Sequence, residues 1–509
     1  MANEEQYSPD ETFISSLKSK LNTSFIPRWR EEPCSIFRVP PILRMQNPEV
    51  YEPRIFPIGP YHRTGINPMP MEKRKNCMAR RLFSKHPDTM MDRCVNEVMA
   101  LEMRARSCYA DKIDLGSNEF VEMMILDGCF IIGVLMLERL NVIRMKRRIR
   151  GEDTSAEREE RNWSGNWVWW EQEDEEPEKG EMHNLWPLLS HVHADLLKVE
   201  NQIPFFIVET LYNLLVTQDD DGENVSVFDL AISFINKNHS HLLRRYVNIL
   251  NHQIHHLLHL FYVMLLPGPK ISPTGHSLLV KLKKKARQLL RMPCCTLPSF
   301  LKNSEAAEWR RRQHDSGWLK SATELQEVGI KFVVVKNDRC SFMDVTFKNG
   351  VMEIPTLCIF ESTMPLFRNL IAFEQCYPFT RNHVTFYAVL MQFLLDTPKD
   401  VKVLQGERIL RSRLNDEEVA RLFNRLCRDI IYSNSNSYLS DVFHDVNDYC
   451  DSRWHKWRAV LARDYFGNPW TVISLVAAVV LLILTFCRHT TVCMATTTII
   501  KSLCFLSKR

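Results

Sequence analysis

The chain reads as mainly α (α+β): a helical body that carries a small antiparallel sheet, plus one C-terminal transmembrane helix. Three observations predict this class. Apolar residues recur at spacings of three and four through most of the 509 residues. β-branched and alternating runs are confined to residues 330–359. Trp470 to Cys487 (WTVISLVAAVVLLILTFC) contains no charge over 18 residues.

Taken in order, residues 1–33 form a polar, acidic, flexible N-terminus without a basic start and apolar run, so no signal peptide is expected. The body spans 34–465. Val121 to Leu137 is almost continuously apolar, but Asp127, Gly128 and Gly133 predict a buried element of the body and not a second span. Leu185 to Val199 is a helix whose apolar face is Leu188, Leu189, Val192, Leu196 and Leu197. Pro204 pushes Ile203 out of helical geometry, and Phe205 to Val216 resumes the helix. Ile330 to Val335, Phe342 to Phe347 and Val351 to Ile359 read as strands. The turn at Lys348–Asn349–Gly350 joins the last two as an antiparallel pair, because Asn-Gly tolerates positive φ. The clearest helix is Asp416 to Ile431, with Asn415 as cap and Glu418 completing a capping box.

Two stretches break the helical pattern. Gly151 to Glu181 follows the basic run Arg144 to Arg150 and is rich in charge, which predicts a flexible insert. It holds Trp163, Trp167, Trp169 and Trp170, followed by an acidic run. Read blandly, it is a solvated loop. Read sharply, it offers a partner protein four aromatic anchors. Residues 267–320 form a basic, proline-containing linker whose lysine run could meet anionic lipid.

The uncharged segment at 470–487 spans roughly 27 Å at 1.5 Å per residue, enough for a thin hydrocarbon core. Arg458, Arg463 and Asp464 precede it; Arg488 and His489 follow it; Trp470 suits the interface. Residues 488–509 form a short tail. The expectation is a single-pass C-terminal membrane anchor with the bulk of the chain in the cytosol. Basic residues flank both sides and do not decide orientation. Fifteen scattered cysteines without a C-x-x-C pair argue against a secreted disulfide framework. Net charge of +4 is small, so nucleic acid is not an expected partner. The bilayer and an unidentified protein are.

Several strings resemble the plant family known as domain of unknown function 247. They include CSIFRVPPILRMQNPEVYEPRIFPIGPYHR at Cys34 to Arg63, ILDGCFI at Ile125 to Ile131, and DLLKVENQIPFFIVETLY at Asp195 to Tyr212. SATELQEVGIKF at Ser321 to Phe332, FKNGVMEIPTL at Phe347 to Leu357 and FRNLIAFEQC at Phe367 to Cys376 continue in the same order, up to RDYFGNPW before the anchor. The resemblance implies a helical plant membrane protein with a C-terminal anchor and no established enzymatic activity. Some family members are linked to self-incompatibility in grasses, which implies recognition or signalling.

Catalytic patterns are sparse. The chain has no G-x-G-x-x-G, P-loop, H-E-x-x-H or G-x-S-x-G motif. His252, His255, His256 and His259 are the strongest metal-like set, because spacings of three, four and seven share a helix face. Without a nearby Asp, Glu or Cys, they read as a polar helix face that protonates near pH 6. No cofactor is expected, and Cys94 and Cys108 are not assigned as nucleophiles. Asp127, Glu200, Asn201, Gln202, Glu374 and Gln375 interrupt apolar runs. They read as a buried network, with Arg368 or Arg38 as partners, in preference to an acid–base site. The expected function is therefore recognition by binding. The alternative is a membrane-bound hydrolase or metal-dependent enzyme.

Overall fold

The computed structural model describes residues 34–63, 69–84, 87–150, 189–216, 225–240, 242–243, 253–267, 319–335, 341–432, 437–451, 473–474 and 477–488, with isolated positions between 12 and 19. The insert 151–181, most of the linker 267–320 and nearly all of the N-terminus and tail lie outside these residues. The chain forms two compact units. One comprises Met1–Pro267, Phe360–Thr385 and Arg428–Tyr432; the other comprises Gly268–Ile359, Phe386–Cys427 and Ser433–Arg509.

The first unit is built around the helix Ser117–Arg150. Among the described residues five helices pack on it: Met69–Phe83, Pro87–Ala100, Glu102–Ser107, Phe205–Leu215 and Val227–His239. The apolar run that could be mistaken for a span lies within it: the stretch Ser117–Arg139 is long and apolar enough to cross a membrane, and 89% of its window is buried in the protein. Gly128 and Gly133 explain the close packing. A side chain at Gly128 would collide with Leu211, and one at Gly133 with Met78, so neighbouring helices approach the bare backbone. Phe56 stacks on Phe130 at 4.7 Å, which brings the N-terminal segment into the same core.

The helix Phe205–Leu215 begins directly after Pro204, as the proline predicts. Of the predecessor expected over Leu185 to Val199, residues 185–188 lie outside the described residues, Leu189–Leu196 is helix, and the helix stops short of Val199. The reason for this end lies in Asp195, Lys198 and Asn201: the first two bind backbone groups of Arg54 and Glu52 outside the helix, and Asn201 closes the helix end on the Asp195 carbonyl while also donating to Phe56.

The second unit holds the sheets. β1 (Lys331–Val334), β2 (Thr346–Lys348) and β3 (Val351–Ile354) form one sheet in the order β1-β3-β2. The hairpin β2–β3 is antiparallel, and Asn349 and Gly350 take φ of 51° and 80° in its turn. β1, however, runs parallel to β3. β4 (Leu357–Ile359) and β5 (Leu410–Ser412) make a separate parallel pair. The expectation of a single antiparallel sheet is thus corrected to two small sheets, one mixed and one parallel. The hairpin uses one edge of β3 and leaves the other for β1, while Pro355 lacks the N–H needed to continue the ladder into β4.

The best-marked helix carries the expected capping box, with Asn415 accepting from the Glu418 amide and Glu418 from the Asn415 amide. It ends at Leu426 and not at Ile431, since Asp429 adopts φ of 60°, outside any right-handed helix. Asp400 ties the helices of this unit together: its carboxylate accepts from Thr323 and from Thr397 while fully buried.

Candidate functional site

The string Cys34 to Arg63 lies in the first unit with little regular structure beyond one turn at Pro41–Arg44 and another at Pro48–Val50. Its buried amides have no strand beside them except at an isolated bridge between Ile36 and Tyr109. An unpaired buried N–H costs as much as a lost hydrogen bond, so side chains must supply acceptors. They come mainly from the motif Asp195 to Gln202. Asp195 accepts from Arg54, Ile55 and Phe56 at 2.9, 2.8 and 3.1 Å. Asn201 accepts from Ile58 at 2.6 Å and donates to the Phe56 carbonyl at 2.9 Å. Glu200 accepts from Val39 at 2.6 Å. Asp127, from the central helix, accepts from Gly59 at 2.8 Å. Gly59 has φ of 72° and lies so close to the Gln202 carbonyl that a Cβ would not fit.

Each of three carboxylates in this cradle also meets a cation. Asp127 pairs with Lys75 at 2.6 Å, and Lys75 donates to the Pro57 carbonyl at 2.7 Å. Asp195 pairs with Lys198 at 3.3 Å, and Lys198 also donates to the Glu52 carbonyl. Glu200 is wholly buried between Arg44 and His62; His62 Nε2 lies 2.8 Å from its Oε2. Burial pushes the Glu200 carboxyl up, but His62, Arg44 and the Val39 amide outweigh it and hold the group below the usual range. For Asp127, burial prevails over Lys75 and the Gly59 amide and leaves its carboxyl raised.

The sequence therefore located the network but not its partners. Asp127, Glu200, Asn201, Gln202 and Glu374 are buried, as their apolar settings imply, while Gln375 is half-buried and accepts from Ile431. Glu200 takes Arg44 and His62, and neither Arg38 nor Arg368: Arg38 pairs with Asp111, and Arg368 donates to Gln46. Asp195, Lys198 and Lys75 were missed. The signal for the first two stands in the motif itself, an acid and a base three residues apart inside an apolar run. A second buried cluster, Glu138 with His193 and Lys237, was also missed, because its members lie on helices far apart in sequence.

The three described histidines of the set, His255, His256 and His259, do not share one helix face. His252 lies outside the described residues. The helix begins at Leu257, so His255 precedes it, His256 is its cap and only His259 is within it. His256 Nδ1 accepts from the His259 amide at 3.2 Å and its Nε2 meets the Ser35 carbonyl at 3.0 Å, which occupies both ring nitrogens. His259 Nδ1 accepts from the His255 amide, and His255 Nε2 meets the Tyr377 hydroxyl at 2.8 Å. Burial first, then His255, pushes His256 down to about 3, so it stays neutral where a solvated face would protonate. Among the described residues no group of three or more His, Cys, Asp or Glu could hold a metal ion. Trp163, Trp167, Trp169 and Trp170 lie outside the described residues. Cys94 is buried and its thiol pushed up to about 11, first by that burial.

Over Glu200 the surface opens into a cleft of about 460 Å³ lined by Arg38, Val39, Pro40, Pro41, Arg44, Glu52 and His62. Arg38 lies 4.5 Å over the Tyr61 ring. Two guanidiniums, an imidazole and the Glu52 carboxylate stand there beside an apolar proline wall.

A helical protein whose N-terminal segment is pinned by buried carboxylates is the class that fold and site define. The profile of a plant family described as "Plant protein of unknown function", domain of unknown function 247, matches residues 36–484, and the chain belongs to that family. It is similar to the UPF0481 protein At3g47200 of Arabidopsis thaliana, 28% identical over 90% of this chain and 86% of that one. It is also similar to the putative UPF0481 protein At3g02645 of Arabidopsis thaliana, 22% identical over 94% of each chain. No solved structure matches it.

Proposed function

We propose that this chain is a membrane-tethered recognition protein that acts by binding another protein. The observation that supports it most is the state of the C-terminal segment. Ala477–Arg488 is an apolar helix with every residue exposed, and Leu481, Leu482, Leu484 and Phe486 are 64%, 69%, 60% and 71% accessible. Leaving large apolar side chains in water forgoes about 1.5–3 kcal/mol each, which supports an apolar surrounding for this helix. By itself the described helix is shorter than a span; the uncharged run Trp470 to Cys487 supplies the length.

Binding is favoured over catalysis because the buried acids of the family motifs hold backbone amides in place. Pollen–stigma recognition, suggested by the family resemblance, is one setting for such binding. The bulk of the chain faces the cytosol in this reading, in keeping with the scattered, odd-numbered cysteines.

Alkaline extraction of membranes followed by detergent phase partition tests the tether. The full chain is expected in the membrane and detergent fractions, and a chain lacking 470–487 in the aqueous one. An intact chain that stays aqueous overturns the proposal. Protease protection of an N-terminal epitope in intact microsomes would reverse the orientation.

A further inference from the structure

We propose that the outer edge of β1 pairs antiparallel with the β1 edge of a second copy of this chain, joining their sheets across a two-fold axis at Val333. The proposal goes beyond the binding reading by naming a homotypic partner, and takes from that reading only the local concentration that a tether supplies.

β1 is an edge strand, since the sheet runs β1-β3-β2. Its register with β3 fixes which groups face outward. Lys331 and Val335 donate to the Gly350 and Ile354 carbonyls, so residues 331, 333 and 335 turn their main chain toward β3. The alternate residues turn theirs away. The N–H and C=O of Phe332 and Val334 therefore point off the sheet, and among the described residues nothing bonds them. The other side of the sheet differs. There the helix Ser440–Asp451 packs on β2, with Tyr449 5.7 Å from the Phe347 ring. An open edge of apolar, β-branched residues is a template for another strand.

β1 itself fits that edge. A two-fold axis at Val333 sets Phe332 opposite Val334 of the second copy, and each outward N–H then meets an outward C=O. Val333, 41% exposed, packs on Val333 of the second copy in a non-hydrogen-bonded pair, where side chains stand closest. Charge permits this register. Lys331 falls opposite Val335 of the second copy, about 13 Å along the ladder from the other Lys331. The acid beside the axis is Glu353, the register partner of Val333, so each copy brings one lysine and one glutamate to the joined face. One short strand from each side buries much less than the roughly 1,000 Å² of a stable interface. The pairing is therefore weak in dilute solution and favoured where copies share one bilayer.

The test reconstitutes the full chain, labelled at its N-terminus with donor or acceptor dyes, into phosphatidylcholine liposomes and reads energy transfer between copies. Val333→Lys sets like charges against each other across the axis. It is expected to raise the dissociation constant at least tenfold with an unchanged melting temperature, because this side chain is exposed. Val334→Pro removes an outward N–H that the sheet does not use and is expected to act likewise. Val333→Cys, oxidised with diamide, is expected to link two copies, since residues opposed there lie within disulfide reach; Lys331→Cys is not. Mass spectrometry of the linked peptide separates this bond from any made by native cysteines. No transfer between parent chains, transfer that Val333→Lys leaves unchanged, or equal linking at 331 and 333 overturns the proposal. So does a Val334→Pro chain that loses its fold, which would place that N–H in a bond within the copy. The tether is decided separately by the partition experiment, and a chain that proves aqueous is put through the same measurements in concentrated solution.

Discussion

Glu200 and Glu374 stand in two regions of the first unit and do the same local work, yet their charges are balanced in opposite ways. Glu200 accepts the Val39 amide and faces Arg44 and His62. Glu374 accepts the Val384 and Thr385 amides and the Thr385 hydroxyl at 2.9, 2.7 and 2.6 Å, at the start of the helix His383–Leu394. No cation pairs with it among the described residues. Burial pushes the Glu374 carboxyl up to about 7, against the pull of Thr385, Val384 and Tyr262. For Glu200 the same burial is overcome by its neighbours, and its carboxyl lies below the ordinary value. At Glu200 the His62 ring and the Arg44 guanidinium add to the amide and outweigh burial, whereas at Glu374 hydrogen bonds alone do not; a cation does not always suffice, since Asp127 stays raised beside Lys75.

The largest expected effect separates the two directly. Glu200→Gln leaves Arg44 without its buried counter-charge and should destabilise the protein by about 3–5 kcal/mol. Urea unfolding at neutral pH measures it. A loss under 1 kcal/mol would mean that the cradle does not depend on the pair.

Next in size is a difference in pH response. Glu374 holds its proton more tightly folded than unfolded, so its contribution is full below its ordinary value of 4.5 and is lost as pH rises to about 7. That is roughly 3 kcal/mol across the interval, taken at about 1.4 kcal/mol per pH unit. Glu200 has the reverse sign: its contribution is present above the ordinary carboxylate range and is lost as pH falls through its lowered folded value. Melting temperatures of the parent and of Glu374→Gln between pH 4.5 and 7.5 should converge or cross as the parent weakens, and the variant should show the flatter profile. Parallel profiles would remove Glu374 as the source of the slope.

Two smaller changes sharpen the contrast. Thr385→Val removes one hydroxyl donor from Glu374 and should cost about 1 kcal/mol at pH 8, where the carboxylate is charged, and less at pH 5. Equal losses at both pH values would contradict the assignment. His62→Gln should cost about 1 kcal/mol at neutral pH, because Arg44 remains on Glu200. A loss as large as that of Glu200→Gln would show that His62, and not Arg44, supplies the counter-charge.

What could be read from the sequence is of one physical kind. Signals that act within a few residues were visible: the Asn415–Glu418 capping box, the Asn349–Gly350 turn, the break at Pro204 and the buried character of Val121 to Leu137. Each depends on local sterics or periodicity, which a short string carries complete. The sequence also showed that Asp127, Glu200 and Glu374 need partners, because a lone charge in an apolar run is costly wherever it folds.

Only the tertiary structure decided who those partners are. Glu200 meets Val39 across 161 residues and Asp195 meets Ile55 across 140, separations at which no spacing rule operates. The parallel pairing of β1 with β3 and of β4 with β5 was equally out of reach, since an edge is chosen by what else has already taken its neighbour. The histidines make the same point: their spacing promised a shared face, but a cap at His256 started the helix there and turned them into hydrogen-bond fixtures. Local strings fix the need of each group; the packed chain determines which group meets it, because distant segments compete for the same donors.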